Sequence, residues 1–218
     1  MKLVLYYFTI PFWRAEVTRL ALFIGNIPFT DYRIEKDEYE IFKKTGKLPN
    51  NKIAPFKQLP VLEVDGKIFS QTGAIARYCG KLSGLYPINN DYEAALIDQV
   101  IEASQDINFM YTLSNRDKDP EKKRLPREIL STKHLPKWFK YLENLIVSNN
   151  KSIWFVGDNI SIADLAVWRL LGWLTSGIID GVPKDIIEPY QNLKLMRKEV
   201  YKHPKVKEWM LLKYGKDI

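Results

Sequence analysis

The chain has 218 residues, 46% of them apolar and 27% charged, which fits one large globular domain or two small ones and leaves enough apolar surface for a substantial core. No run of 18 apolar residues occurs, so no membrane-spanning helix is expected, and the apolar run within Met1–Phe8 is too short for a signal peptide. The net charge of +7 comes from lysines spread along the chain, and the densest group, Lys118 to Arg127, is interleaved with acids. That pattern reads as a solvated face or loop and argues against a nucleic-acid partner.

Leu3 to Phe8 alternates two apolar faces, the pattern of a strand buried between layers. After the loop Thr9–Trp13 a helical period starts at Arg14, runs through Val17, Leu20, Ala21 and Ile24, and stops at Gly25-Asn26. Phe29 to Ile34 reads as a second strand, and the charged stretch Glu35–Asn51 holds a short helix around Tyr39 to Lys44. Val61–Val64 and Ile68–Phe69 are β-prone runs joined by Asp65-Gly66, a hairpin signal. Past Ser70 the period becomes helical through Ile75, Tyr78, Cys79 and Leu82. The order βαβαββα predicts an α/β sandwich with a parallel pair followed by an antiparallel one.

Residues 83–91 are rich in turn formers and read as a linker between an α/β domain over 1–82 and an all-helical domain over 92–218. Helices are expected at Ala95–Leu113, His134–Val147, Ile162–Thr175, Leu193–Tyr201 and Val206–Tyr214. Ser161 followed by Asp164 is a capping box opening the third of these. Trp168, Trp173 and Trp209 fall at core positions, and Cys79 on an apolar helix face reads as a packed, inert thiol. One cysteine excludes an internal disulfide framework and fits a reducing compartment, here the cytoplasm. The sequence has no HxxxH, CxxC or glycine-rich phosphate loop.

The hairpin feeding a helix sets Gln71 and Thr72 at a helix N-terminus, where free N–H groups and the dipole favour an anion, although either residue also serves as a plain cap. With its neighbours this stretch, Gln58-Leu59-Pro60-Val61-Leu62 and then Ala74-Ile75-Ala76-Arg77-Tyr78, resembles the glutathione-site core of cytosolic glutathione transferases. Thr72 stands where that family usually has Ser. The Ser161–Asp164 box and Leu135-Pro136-Lys137-Trp138 extend the resemblance over nearly the whole chain, toward the sigma-type branch and its protozoan relatives. It implies a thioredoxin-like N-terminal domain, a helical C-terminal domain and glutathione as co-substrate.

Composition does not separate Tyr6 from Tyr7, but Leu5-Tyr6-Tyr7-Phe8 is similar to the family's motif in which the tyrosine before phenylalanine holds the thiolate. Tyr7 is therefore the expected catalytic residue. A hydroxyl donating to the sulfur lowers a thiol pKa of about 8.5 by about two units, or roughly 2.7 kcal/mol. The resemblance further implies Arg14 at the opening of the first helix, Tyr39 and Lys43 near the glycine end, and Gln58 on the peptide. Leu59 offers its backbone at the bend made by Pro60, and Gln71 and Thr72 receive the γ-glutamyl carboxylate. Asp106 would meet the ammonium across a homodimer interface. Gln105 interrupts the acids Glu102 and Asp106 that bind a cation in some sigma-type relatives, so no metal is expected. The loop after Tyr7 is one residue longer than the sigma pattern, with Pro11-Phe12-Trp13 replacing Arg-Gly. Phe12, Trp13, Met110, Tyr111 and the C-terminal residues are the candidate lining for a second, electrophilic substrate. The implied activity is conjugation of glutathione to small electrophiles or reduction of organic peroxides. A glutathione-dependent isomerase of the sigma type and a non-catalytic ligand-binding relative are the alternatives.

Overall fold

In the computed structural model, which describes residues 1–149 and 152–215, the chain begins with a four-stranded sheet. Its strands are β1 (Leu3–Tyr7), β2 (Thr30–Arg33), β3 (Val61–Val64) and β4 (Lys67–Ser70), in the order β2-β1-β3-β4. β1 runs parallel to β2 and antiparallel to β3, and β3 to β4, as the element order predicts. Asp65 and Gly66 both have positive φ, 46° and 84°, which a tight primed hairpin turn requires.

β1 lies between two cores. Leu3, Leu5 and Tyr7 face α1 (Glu16–Ile24) and α3 (Thr72–Ser83), while Val4 and Tyr6 face the layer built around Phe42 of α2 (Lys36–Thr45). The linker is packed: Leu85 and Tyr86 are buried, and the Leu85 carbonyl accepts from the Ile162 N–H at 3.0 Å.

Beyond it come α4 (Asp91–Ser114), α5 (Pro120–Ile129), a π-helical turn over Leu130–His134, α6 (Leu135–Ser148), α7 (Ile162–Leu174), α8 (Gln191–Lys202) and α9 (Pro204–Tyr214). Every residue of α7 is buried, so its apolar character runs around the whole helix instead of along one stripe. The capping box forms as expected. The Asp164 carboxylate accepts from the Ser161 N–H at 2.8 Å and from the Phe155 N–H at 3.0 Å, although burial pushes its carboxyl up to about 6.

The charged stretch 118–127 is a solvated face, one of the two expected readings, and most of it is a helix, α5, absent from the expected set. Asp119 caps the start by accepting from the Glu121 N–H, with Pro120 in the first turn. The charge density conceals one buried position, Arg127, whose guanidinium lies 4.6 Å from the Tyr111 ring centroid and pairs with Asp180 at 3.3 Å.

Candidate active site

A cleft of about 850 Å³ opens where the C-terminal end of β1, the bend before β3 and the start of α3 face α4. Nine of the ten residues predicted for the site line it: Tyr7, Arg14, Tyr39, Lys43, Gln58, Leu59, Pro60, Gln71 and Thr72. Asp106 does not. It is exposed on α4, and its neighbours Glu102 and Gln105 face the cleft instead.

The polar end is built by local backbone geometry. The Leu59–Pro60 bond is cis, and Gln71 has φ 81°, a conformation that non-glycine residues rarely adopt. Gln71 makes no side-chain cap to α3, so the first N–H groups of that helix are left for another acceptor at the cleft wall. The buried Ser70 hydroxyl in the same wall has no partner among the described residues. These free donors fit an anionic ligand group. Lys43 sits at the rim, paired with Glu40 at 2.8 Å, both about half exposed. The Tyr39 ring packs edge-on against Phe8 at 4.8 Å.

Tyr7 forms the floor and is 3% exposed. Burial raises its phenol above the ordinary range, opposed by the charges of Arg14 and Arg169 and by a hydrogen bond from the Arg14 backbone. The hydroxyl therefore keeps its proton at neutral pH. Tyr6 points through the other face of the sheet, where its hydroxyl donates to Glu63 at 3.1 Å and accepts from Asn50 Nδ2 at 3.0 Å.

The longer loop finds its reason in Phe12. At φ 61° the chain turns this ring away from the cleft and into the helical domain, 5.0 Å from the Trp168 ring centroid and over Gly172. A methyl group at residue 172 would come within 2.4 Å of the ring, so only glycine leaves it room. Phe12 therefore does not line the cleft, whereas Trp13 and Arg14 do. Arg14 Nη1 donates to Gln105 Oε1 at 3.3 Å, which ties the loop to α4. Thr9, in the same loop, is exposed and outside the cleft.

A smaller recess of about 180 Å³ opens beside Tyr7, between Trp13, Tyr111 and Trp173, with Arg14 and Arg169 in its wall. Of the expected apolar lining, Trp13 and Tyr111 take part, but Met110 and the described C-terminal residues do not, and residues 216–218 lie outside the described residues. α9 packs instead on α1, with Trp209 against Phe23 and Phe29. Trp173 is both a core residue and a wall of the recess. The sequence reading passed over Arg77, which lines the main cleft and pairs with Asp98 and Glu102, and over Arg169; the visible signal for Arg169 was a charge in the middle of a helix whose one other charged residue is the capping Asp164. Cys79 is fully buried, and burial pushes its thiol up to about 12. Among the described residues no three His, Cys, Asp or Glu side chains converge as metal ligands, and no helix is long and apolar enough to cross a membrane.

The arrangement is a donor-rich cleft that ends on a protonated phenol beside an aromatic recess. The family model for the N-terminal domain of glutathione S-transferases matches residues 3–81, and that for the C-terminal domain matches residues 105–211. The chain belongs to the glutathione S-transferase family. It is 35% identical over 160 residues to a glutathione S-transferase of Plasmodium yoelii yoelii, covering 72% of this chain and 71% of that one. It is 29% identical over 197 residues to a hematopoietic prostaglandin D synthase of Gallus gallus, covering 90% and 89%. The solved structure of a prostaglandin synthase D of Nilaparvata lugens superposes with a TM-score of 0.82 at 30% identity, over 96% of this chain and 97% of that one. Protozoan transferases and sigma-type synthases are the two branches that the sequence resemblance named.

Proposed function

We propose that this protein transfers glutathione to small electrophiles, with Tyr7 as the catalytic donor. The observation that carries the reading is a buried, protonated phenol at the floor of a cleft whose wall holds unpartnered N–H and O–H donors. Gln71, Thr72 and the first amides of α3 receive the γ-glutamyl carboxylate, and the Leu59 backbone beside Pro60 pairs with the cysteinyl unit. Gln58 bonds the peptide. Tyr39 and Lys43 face the glycine end, and Arg14 holds the loop over the sulfur. Tyr7 donates to the sulfur and favours the thiolate, whose proton leaves to solvent. The thiolate forms a carbon–sulfur bond as the electrophile loses its leaving group. Asp106 serves the site of a second copy in a cytoplasmic homodimer, and the physiological role is detoxification. No metal takes part in this reading.

Calorimetry with glutathione and an assay with a chloronitroaromatic acceptor test the proposal. Saturable binding and a rate above the uncatalysed one are expected. The absence of binding at millimolar glutathione would leave only a non-catalytic ligand-binding role. The similarity to two prostaglandin D synthases supports a second reading, a glutathione-dependent isomerase in the same cleft, with the thiolate returned unchanged at the end of each turnover. Product analysis separates the two, because only the transferase consumes glutathione. Peroxidase activity would show as oxidised glutathione with an organic hydroperoxide.

A further inference from the structure

A buried guanidinium carries five N–H donors and a charge that water no longer solvates, so it calls for a carboxylate. Elsewhere this chain obeys that rule: the buried Arg19 has Glu16 and Asp31, and Arg127 has Asp180. Arg169, in the middle of α7 and 1% exposed, does not. Among the described residues its guanidinium makes one hydrogen bond, a neutral one from Nη1 to Asn108 Oδ1 at 3.2 Å. Nε and Nη2 are buried without a partner among the described residues. The charge that faces it is of the same sign, and burial together with Arg14 pushes its guanidinium down to about 9.

Those two nitrogens are the pair that forms the side-on fork of a guanidinium, the edge that matches the two oxygens of a carboxylate. Arg169 lines the recess beside Tyr7, whose walls are Trp13, Tyr111 and Trp173. The last two rings meet edge to face, 4.4 Å between centroids. At about 180 Å³ the recess has room for a single ring with one small substituent, since a cavity of about 150 Å³ holds benzene. Aromatic walls favour a singly charged, planar anion over a doubly charged phosphate.

We propose that this recess is a carboxylate site, and that the second substrate is an electrophile carrying an aromatic or similarly flat group with a carboxylate held by Arg169. Calling that ligand a substrate rests on the transferase reading; the anion site itself does not. Arg169 acts here in binding, setting which electrophile is placed beside the sulfur.

Benzoate and benzamide, alike in shape and differing in charge, are the binding probes, read by calorimetry and thermal shift on the full chain in the presence of glutathione. Benzoate should bind at least about tenfold tighter, the scale of a charge-assisted pair. Arg169→Met, which keeps much of the volume and removes an unpaired charge, should abolish that preference. Arg169→Lys keeps the charge without the fork, should retain part of it, and serves if the Met variant does not fold. Equal binding of the two probes, or a benzoate preference that survives in Arg169→Met, overturns the proposal. A chloronitrobenzoate and the matching chloronitrobenzamide, each rate divided by its uncatalysed rate with glutathione, then report on turnover. A kcat/KM preference for the benzoate that is lost in Arg169→Met supports the site as a substrate determinant. Benzoate bound through Arg169 with neither compound conjugated removes the transferase reading and leaves the anion site standing. Conjugation of both without preference, and no selective benzoate binding, does the reverse.

Discussion

Tyr6 and Tyr7 are the same side chain on adjacent residues of one strand, and the alternation of β1 sends them to different chemistry. Tyr7 closes the floor of the cleft, while Tyr6 is engaged by Glu63 and Asn50 behind the sheet. Tyr7→Phe should leave glutathione affinity almost unchanged and lower turnover by about 10²–10³, the usual cost of one donor aimed at an anion. Because donation favours the thiolate, its loss should move the rising limb of the rate–pH profile upward, toward the free-thiol value of about 8.5. Tyr6→Phe should keep both rate and profile and cost about 1 kcal/mol of stability, since Glu63 retains Lys52 at 2.7 Å and Asn50. Steady-state rates across pH for the two variants decide the matter, and a loss confined to Tyr6→Phe would reverse the assignment. Thr9 is no substitute donor, because its side chain lies outside the cleft.

At the level of elements, the loop between β1 and α1 is positioned from α7. Phe12 fills the space that Gly172 leaves open, and this holds Trp13 and Arg14 at the cleft. Gly172→Ala should expel the ring, costing roughly 1–3 kcal/mol by overpacking. Conjugation should suffer more than glutathione binding, since the contacts at Gln58 and Gln71 lie on other elements. Combining it with Phe12→Leu, a smaller side chain at the same point, should recover part of both losses. Denaturant unfolding and kcat measurements on the single and double variants check this. Full activity in Gly172→Ala would mean that the loop is held by something other than Phe12.

Across the whole molecule, one buried carboxylate ties α1 to α9. Glu16 of α1 is fully buried, ion-paired with Arg19 at 3.3 Å, and accepts from Trp209 Nε1 at 2.5 Å and from the Tyr214 hydroxyl at 2.6 Å, both on α9. Glu16→Ala leaves a buried guanidinium with one carboxylate fewer and two donors without an acceptor, so a loss of about 3–5 kcal/mol is expected in equilibrium unfolding. A change below about 1 kcal/mol would show that α9 is held by its apolar contacts alone. Asp106 belongs to a larger scale still. It is exposed and outside the cleft of its own chain, so a role in binding requires a second copy. Asp106→Ala should weaken glutathione binding several-fold without altering unfolding. Scattering that finds a monomer with unchanged affinity would remove Asp106 from the site.

Local pattern carried much of this. Strand alternation in Leu3–Phe8, the Asp65-Gly66 turn and the Ser161–Asp164 box are each written within a few residues, because backbone conformation and capping act over one turn or one hairpin. The motif from Gln58 to Thr72 is likewise compact, since the residues before β3 and the start of α3 lie close in sequence and line one cleft. Helix α5 was hidden because its charged composition reads as loop when the single buried face residue, Arg127, cannot be recognised from spacing. Phe12 could not be assigned to the helical core, nor Gln105 to Arg14, because both contacts join residues distant along the chain. Arg169 is the sharpest case. Whether a charge in an apolar helix is paired depends on what packs against it from other elements, and only the assembled fold decides that Asn108 and Arg14 surround it in place of a carboxylate.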